Sequence, residues 1–298
     1  VAAIEATPGG LTVPVEPMPS SWSMFWWRLR RNPKALVGGV IVLALLVVIA
    51  FAPLLAPMDP ADGTLADSLA PPGGAYPLGA DKNGRDVLSR LLFGARTAVG
   101  GALLVVVISQ IIGVPLGIWA AYKGGWIDEV VTRSFDMLLA LPPLLLAFAV
   151  VAAFGPGLEK TALTLGILYV PFIARVVRSV TLVQKEMAYT EAAKAMGYPQ
   201  SRIIFRHILP NCLSPVIVVS SLDIAYAMLD LAALSFLGLG VQPPTPDWGT
   251  MLAEGQLVLL TAPHVALAGG FAIVVAVLGF NLLGDGLRDV LDPRQGQA

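Results

Sequence analysis

Glu191-Ala192-Ala193-Lys194-Ala195-Met196-Gly197, followed after a polar and basic run by Leu209-Pro210, lies between two long apolar segments. Tyr189 to Met196 is built of good helix formers, and Gly197 can take the left-handed conformation that closes a helix. Pro199 suits the first turn of a second helix through Ser201, Arg202, Ile203, Ile204, Phe205 and Arg206, which is expected to stop at Pro210. The product is a helix-turn-helix knob on a membrane surface. Its alanines, Ala192 and Ala193, allow close approach by another backbone, while Glu191, Lys194, Arg202 and Arg206 can fix a docking orientation. In isolation the same letters describe an alanine-rich helix with a glycine cap; the flanking apolar segments give them their meaning.

Of the 298 residues, 56% are hydrophobic and 13% charged, far more apolar than an ordinary soluble domain. A spanning helix needs roughly 20 apolar residues. Six candidates stand near 35–56, 97–121, 135–156, 161–181, 212–240 and 264–284. None alternates with period two, which argues against an outer-membrane barrel. A net charge of -1 leaves no electrostatic footprint for nucleic acid. Cys212 is a lone cysteine, and His207 and His264 are far apart, so no internal disulfide, metal site or catalytic residue is assigned. Packing is the reading for all three.

Residues 1–20, rich in Pro, Gly, Thr and Glu, read as a disordered tail. Within 21–34, Trp22, Phe25, Trp26 and Leu29 alternate with Arg28, Arg30 and Arg31 as in an amphipathic helix lying in the lipid interface. A transmembrane domain occupies 35–298. If the N-terminus is cytoplasmic, fourteen Lys and Arg residues fall inside and five, Lys82, Arg85, Arg90, Arg96 and Lys160, outside, in keeping with the positive-inside rule. Both termini and the segment 185–211 then face the cytoplasm, and the long polar excursion 57–96 faces out. That excursion turns at Asp81-Lys82-Asn83-Gly84 into an amphipathic helix with Val87, Leu88, Leu91 and Leu92 on one face.

The segment around Glu191 resembles the EAA loop of the integral membrane subunits of ABC importers, with Glu191, Ala192, Ala193, Gly197, Leu209 and Pro210 in register and His207 standing where that pattern has an aliphatic residue. Four longer runs resemble the C-type permeases of dipeptide, oligopeptide and nickel importers. They are Arg30-Arg31-Asn32-Pro33, Pro77 to Arg96, Leu234 to Gly249, and Asn281 to Asp289. Many relatives carry His before the Pro-Leu-Gly of the second run; here Tyr76 precedes Pro77, and no metal role is carried over.

The resemblance implies an all-α membrane protein with six transmembrane helices in the ABC importer permease (type I importer, MetI-like) fold. It would be a multi-pass protein of the bacterial cytoplasmic (inner) membrane. The implied partners are a second permease subunit, two ATP-binding subunits (or one fused) and an external substrate-binding protein. Glu191, Ala192, Ala193, Lys194, Gly197, Arg202, Arg206, Leu209 and Pro210 would couple this chain to the ATPase. The phosphate-cradling Gly-x-x-x-x-Gly-Lys-Ser/Thr loop is absent, so ATP and Mg are expected on partner subunits, with no cofactor on this chain. Peptides are the implied cargo; nickel or another small solute is the alternative. A secondary transporter would need inverted repeats or an ion-coupling acidic network, and only the second half carries an acidic pair.

That pair is Asp223 and Asp230, seven residues apart within the fifth span and therefore on one face. A carboxylate near a helix centre costs roughly 2.5 to 3.5 kcal/mol on insertion scales, so it should face protein or water. A wall of the translocation path and hydrogen bonding to a neighbouring helix both fit. Elsewhere, Pro142-Pro143 should kink the third span, Arg133 and Asp136 are spaced to pair, and Arg175 and Arg178 can reach the headgroups.

Overall fold

A computed structural model describes residues 21–291, with side chains from residue 25 onward. The expectations for 1–20, for the Trp22 side chain and for Arg294 lie outside the described residues. Two helices open the chain, α1 (Ser21–Leu29) and α2 (Pro33–Leu55). Asn32 separates them: its Oδ1 accepts from the Lys34 and Ala35 amides, and Pro33 fills the first turn, where no amide is needed.

A long connection leads to α3 (Val87–Lys123), then α4 (Gly125–Leu139), α5 (Pro143–Phe154) and α6 (Leu158–Gln184). With 37 residues α3 is about 55 Å long, well beyond the roughly 30 Å of hydrocarbon. The expected excursion 57–96 is therefore shorter, because its last residues are already the first turns of α3. The Asp81–Gly84 turn is present, closed by the Gly84 amide on the Asp81 carbonyl at 3.0 Å.

α4 and α5 meet at an 82° bend. Pro142 has an extended ψ of 123° and Pro143 starts the new helix, so the third expected span is a broken pair. α5 has 12 residues, about 18 Å, too short to cross alone. Five other helical stretches are long and apolar enough to span, and the bent pair makes a sixth if counted as one.

The second half comprises α7 (Ala188–Ala195), α8 (Gln200–Ile203), a π-helical segment (Ile204–Ile208), α9 (Leu209–Phe236), α10 (Trp248–Gln256) and α11 (Pro263–Leu291). Here the expectation that Pro210 ends a helix is corrected. Gln200–Phe236 runs through as one stretch of 37 residues. The Leu209 amide bonds back five residues to the Ile204 carbonyl, and this wider turn makes room for a proline that lacks a donor and crowds the preceding turn.

Small residues bring the helices together, as lipid-embedded packing requires. A β-carbon on Gly117 of α3 would lie 2.5 Å from the Ala174 carbonyl oxygen of α6, and one on Gly38 of α2 would lie 2.3 Å from the Leu283 amide nitrogen of α11. The main core joins Val99 and Val105 of α3, Leu165 of α6, Met228 and Leu231 of α9, Trp248 of α10 and Phe280 of α11.

Antiparallel runs sort the connections to two ends. At the knob end, Asn32 bonds Asp289 at 3.2 Å, Lys123 bonds Gln200 at 3.1 Å, and Lys185 donates to the Ala121 carbonyl at 3.0 Å. The first and last described helices thus start and finish on the same side as residues 185–208. At the loop end lie residues 57–86 and α10.

Candidate coupling surface and intramembrane carboxylates

Gly197 has φ +75°, the left-handed value that its place after α7 demands. The Tyr198 amide reaches the Ala193 carbonyl at 3.1 Å and the Gly197 amide the Lys194 carbonyl at 2.9 Å, closing α7 in a Schellman-type cap. Pro199 is the N-cap of α8 and not part of its first turn, so the helix starts at Gln200, later than expected.

The knob's inner face is Thr190 and Ala193, with Thr190 donating to the Gln184 carbonyl at 2.8 Å and Ala193 packed beside Ile118, Ile173, Val177 and Ile208. Ala193 is therefore a support residue and is closed to an incoming backbone, contrary to expectation; Ala192 is exposed. The outer face carries Glu191, Lys194, Arg202 and Arg206, together with Met196 and Phe205, which is 69% exposed. Sequence reasoning passed over these two apolar side chains. Phe205, standing among three basic residues on a polar loop, was the available signal. Leu209 is half-buried and Pro210 exposed.

His207, in its unusual position, lies with its ring 5.8 Å from that of Tyr189 on α7. The Arg202 guanidinium stacks 4.2 Å above Tyr198. These contacts join α7 to the helix that becomes α9, so knob and span form one continuous piece.

Asp230 and Asp223 share α9 but not their surroundings. The Tyr169 hydroxyl of α6 donates to Asp230 Oδ2 at 2.8 Å, and Asp230 is half-buried. Asp223 is only 9% exposed and its Oδ2 has no hydrogen-bond partner. One turn before it, Gln110 of α3 donates to Ser220 at 2.8 Å while its own Oε1 is buried and unpartnered. Among the described residues, neither aspartate lies within salt-bridge distance of a Lys or Arg.

Several acids elsewhere are paired with arginine. The expected Arg133–Asp136 pair is replaced: Arg133 meets Glu129 at 3.6 Å, and Asp136 meets Arg175 at 2.6 Å. Arg178 holds Asp128 through two bonds of 2.6 and 2.5 Å. Arg175 and Arg178 thus tie α6 to α4. At the loop end a buried cluster, absent from the sequence expectations, joins Asp81, Arg85, Arg90 and Glu254. Arg85 Nε meets Asp81 at 2.7 Å, Arg90 meets Glu254 at 2.6 Å and also Asp81, and Arg85 reaches Glu254 at 3.2 Å.

The runs quoted from sequence meet in space. Asn32 contacts Asp289, the Trp248 indole donates to the Leu91 carbonyl at 2.9 Å, and Arg85 and Arg90 contact Glu254 on α10.

This architecture is that of an importer permease. Residues 113–297 match the family described as binding-protein-dependent transport system inner membrane component, and residues 20–72 match the N-terminal transmembrane domain of oligopeptide transport permease C. The chain belongs to that inner membrane component family. It is 42% identical over 275 residues to the dipeptide transport system permease protein DppC of Alkalihalophilus pseudofirmus, covering 92% of this chain and 90% of that protein. It is 43% identical over 274 residues to the glutathione transport system permease protein GsiD of Pectobacterium atrosepticum, covering 92% and 91%. With the GsiD protein of Escherichia coli, identity is 41% over 294 residues, 98% and 96% of the two chains. A chain of the MetNI methionine ABC transporter, solved in inward-facing conformations, matches with a TM-score of 0.57 over 67% of this chain and 96% of its own, at 19% identity. That likeness concerns the fold.

Proposed function

We propose that this chain is a non-catalytic permease subunit of an ATP-driven importer of short peptides, lining half of the translocation path and taking its energy through residues 185–211. Support comes first from the two kinds of peptide permease among its relatives, one for dipeptides and one for glutathione, itself a modified tripeptide. The observation that carries the mechanism is the unbroken helix Gln200–Phe236. A partner that moves the knob moves α9 as a lever, and α9 bears Asp223 and Asp230.

In this reading the knob end is cytoplasmic, as the excess of basic residues favours, so both termini are cytoplasmic and residues 57–86 face outward. α1, with exposed Trp26 and Trp27 beside its arginines, lies in the inner interface. ATP and Mg reside on two ATP-binding subunits or one fused subunit. The Glu191, Ala192, Lys194, Met196, Arg202, Phe205 and Arg206 surface docks there, supported from below by Ala193, Gly197, Leu209 and Pro210. A second permease completes the path, and an external binding protein delivers the cargo. Linkage makes the coupling reciprocal: a loaded outer side must favour nucleotide closure as much as closure favours transport.

The test is to copurify tagged chain with its ATPase and to reconstitute the complex with its binding protein in vesicles. ATP-dependent uptake of a dipeptide is the expected result. Transport by this chain alone, without an ATPase, would reject the reading.

A further inference from the structure

Asp230 is a carboxylate on a partly open flank of a membrane helix. Tyr226, one turn before it, is 59% exposed, and its neighbours Leu229 and Leu237 are exposed as well. From α6, Tyr169 reaches Asp230 with its hydroxyl, and Phe172, 42% exposed, sets its ring edge-on to Tyr169 at 6.1 Å. A charge on such a face is too costly to leave against lipid tails, so either a water-filled path or a partner subunit must cover it; the choice between them is what the experiment below decides.

The surroundings state which chemistry fits. Asp81, Asp128, Asp136 and Glu254 each receive an arginine from within this chain. Asp230 receives only the neutral Tyr169 hydroxyl; Tyr226 lies one helical turn before it, and the Phe172 ring packs against Tyr169. A carboxylate with no internal cation, among exposed aromatic side chains of the same face, is complementary to an ammonium group, which can gain from the charge and from a ring quadrupole together. Tyr169 holds one carboxylate oxygen and so leaves the other to the visitor.

Resting on the permease reading above, we infer that Asp230, Tyr226 and Phe172 form a transient site for ammonium groups of the cargo, the peptide amino terminus or a lysine side chain, with Tyr169 as a positioning residue. Asp223, nine-tenths buried, is not part of this contact surface.

The experiment uses the complete reconstituted complex with its binding protein, and two probes, alanyl-alanine and lysyl-lysine, each at saturating concentration. Native and variant complexes share the same binding protein, so its preference cancels and the change in the ratio of the two uptake rates from native to variant reports the permease. Asp230→Asn should lower that lysyl-lysine to alanyl-alanine ratio about tenfold, and Tyr226→Leu about threefold. Tyr169→Phe, which keeps the ring and frees the carboxylate oxygen, should shift the ratio in the same direction while the complex assembles normally.

An unchanged ratio in Asp230→Asn overturns the site. So does failure of Asp230→Asn and Tyr226→Leu to assemble with the second permease, because Asp230 would then be answering a cation on that subunit. Absence of uptake of both dipeptides by the native complex removes the peptide importer reading itself, and the site with it.

Discussion

At the loop end, Asp81, Arg85, Arg90 and Glu254 are almost wholly withdrawn from solvent and neutralise one another. Midway along α9, Asp223 is also buried, at 9% exposure against 5% for Arg85, and has no cation. The two regions bury the same kind of side chain under opposite conditions. In the first, charge joins the 57–86 connection, α3 and α10, and each buried charge meets an opposite one, so that removing a single partner is costly. In the second, the desolvation penalty stands uncovered within this subunit. The transport reading of Asp223 gives that penalty a purpose, and the two regions offer the means to test it.

The comparison breaks most visibly at Arg90, which is 2% exposed and bonds both Asp81 and Glu254. Arg90→Leu should leave two carboxylates facing one another around Arg85 alone, destabilising the loop end by about 3–5 kcal/mol. The purified subunit should melt far lower or fail to accumulate. Adding Glu254→Leu removes the surplus negative charge and should recover much of the loss. Native melting of the single variant would mean that the cluster does not hold the loop end together.

A second break comes at the other end of the lever. Gly197→Val puts a β-branched residue at φ +75°, where it is strongly disfavoured, and Glu191→Lys reverses a docking charge. Ligand-stimulated ATP hydrolysis by the complex should fall to its unstimulated level in both, with insertion intact. Alanyl-alanine and lysyl-lysine uptake should fall by equal factors, unlike the selective loss expected at Asp230. Persistence of stimulation in both variants would exclude the knob as the coupling element.

Much of this was legible in the letters. Apolar runs must become helices in lipid because no water satisfies their backbone groups, and Gly197 could serve as little other than a cap. What stayed hidden depended on distance or on accommodation. Arg90 and Glu254 are 164 positions apart, and nothing local marks them as partners. Asp136 had a cation three residues away in Arg133 yet pairs with Arg175, 39 positions on, which only the packing of α4 on α6 brings within reach. Pro142 and Pro210 look alike in sequence. The first is followed by another proline and breaks its helix, whereas at the second a π turn supplies the spare residue. The inward turn of Ala193 could have been found, since Thr190 and Ala193 are three apart and together make the buried stripe of α7.

Asp223 provides the direct measure of the uncovered penalty. If its charge is retained for transport and not for packing, Asp223→Leu should leave the melting temperature of the subunit at or above native, because an apolar replacement of similar size removes an unmet desolvation cost. Uptake in the reconstituted complex should nevertheless drop, by about tenfold if the lost term is near 1.4 kcal/mol. Asp223→Asn should fall between. A lowered melting temperature in Asp223→Leu would put the residue with the loop-end cluster, among the groups that hold the fold, and the contrast between the regions would dissolve.

The smallest effect is expected at His207, whose ring lies 5.8 Å from Tyr189 at a tilt of 36°. Unlike the buried ion cluster, this contact is between rings and lies largely on the surface, so it should help set the angle between α7 and the lever without deciding the fold. Aromatic pairs contribute about 0.5–1.5 kcal/mol beyond their buried area, and an exposed tilted pair belongs at the lower limit. His207→Leu restores an aliphatic side chain of similar bulk and should change stimulated ATP hydrolysis by no more than about twofold, as should Tyr189→Leu. The double variant should cost no more than the larger single one, since either change already removes the stack. Strict additivity of the two would mean that the rings lie together without acting together, leaving the Tyr198 amide, the Thr190 hydroxyl and the π turn as the joints between knob and span.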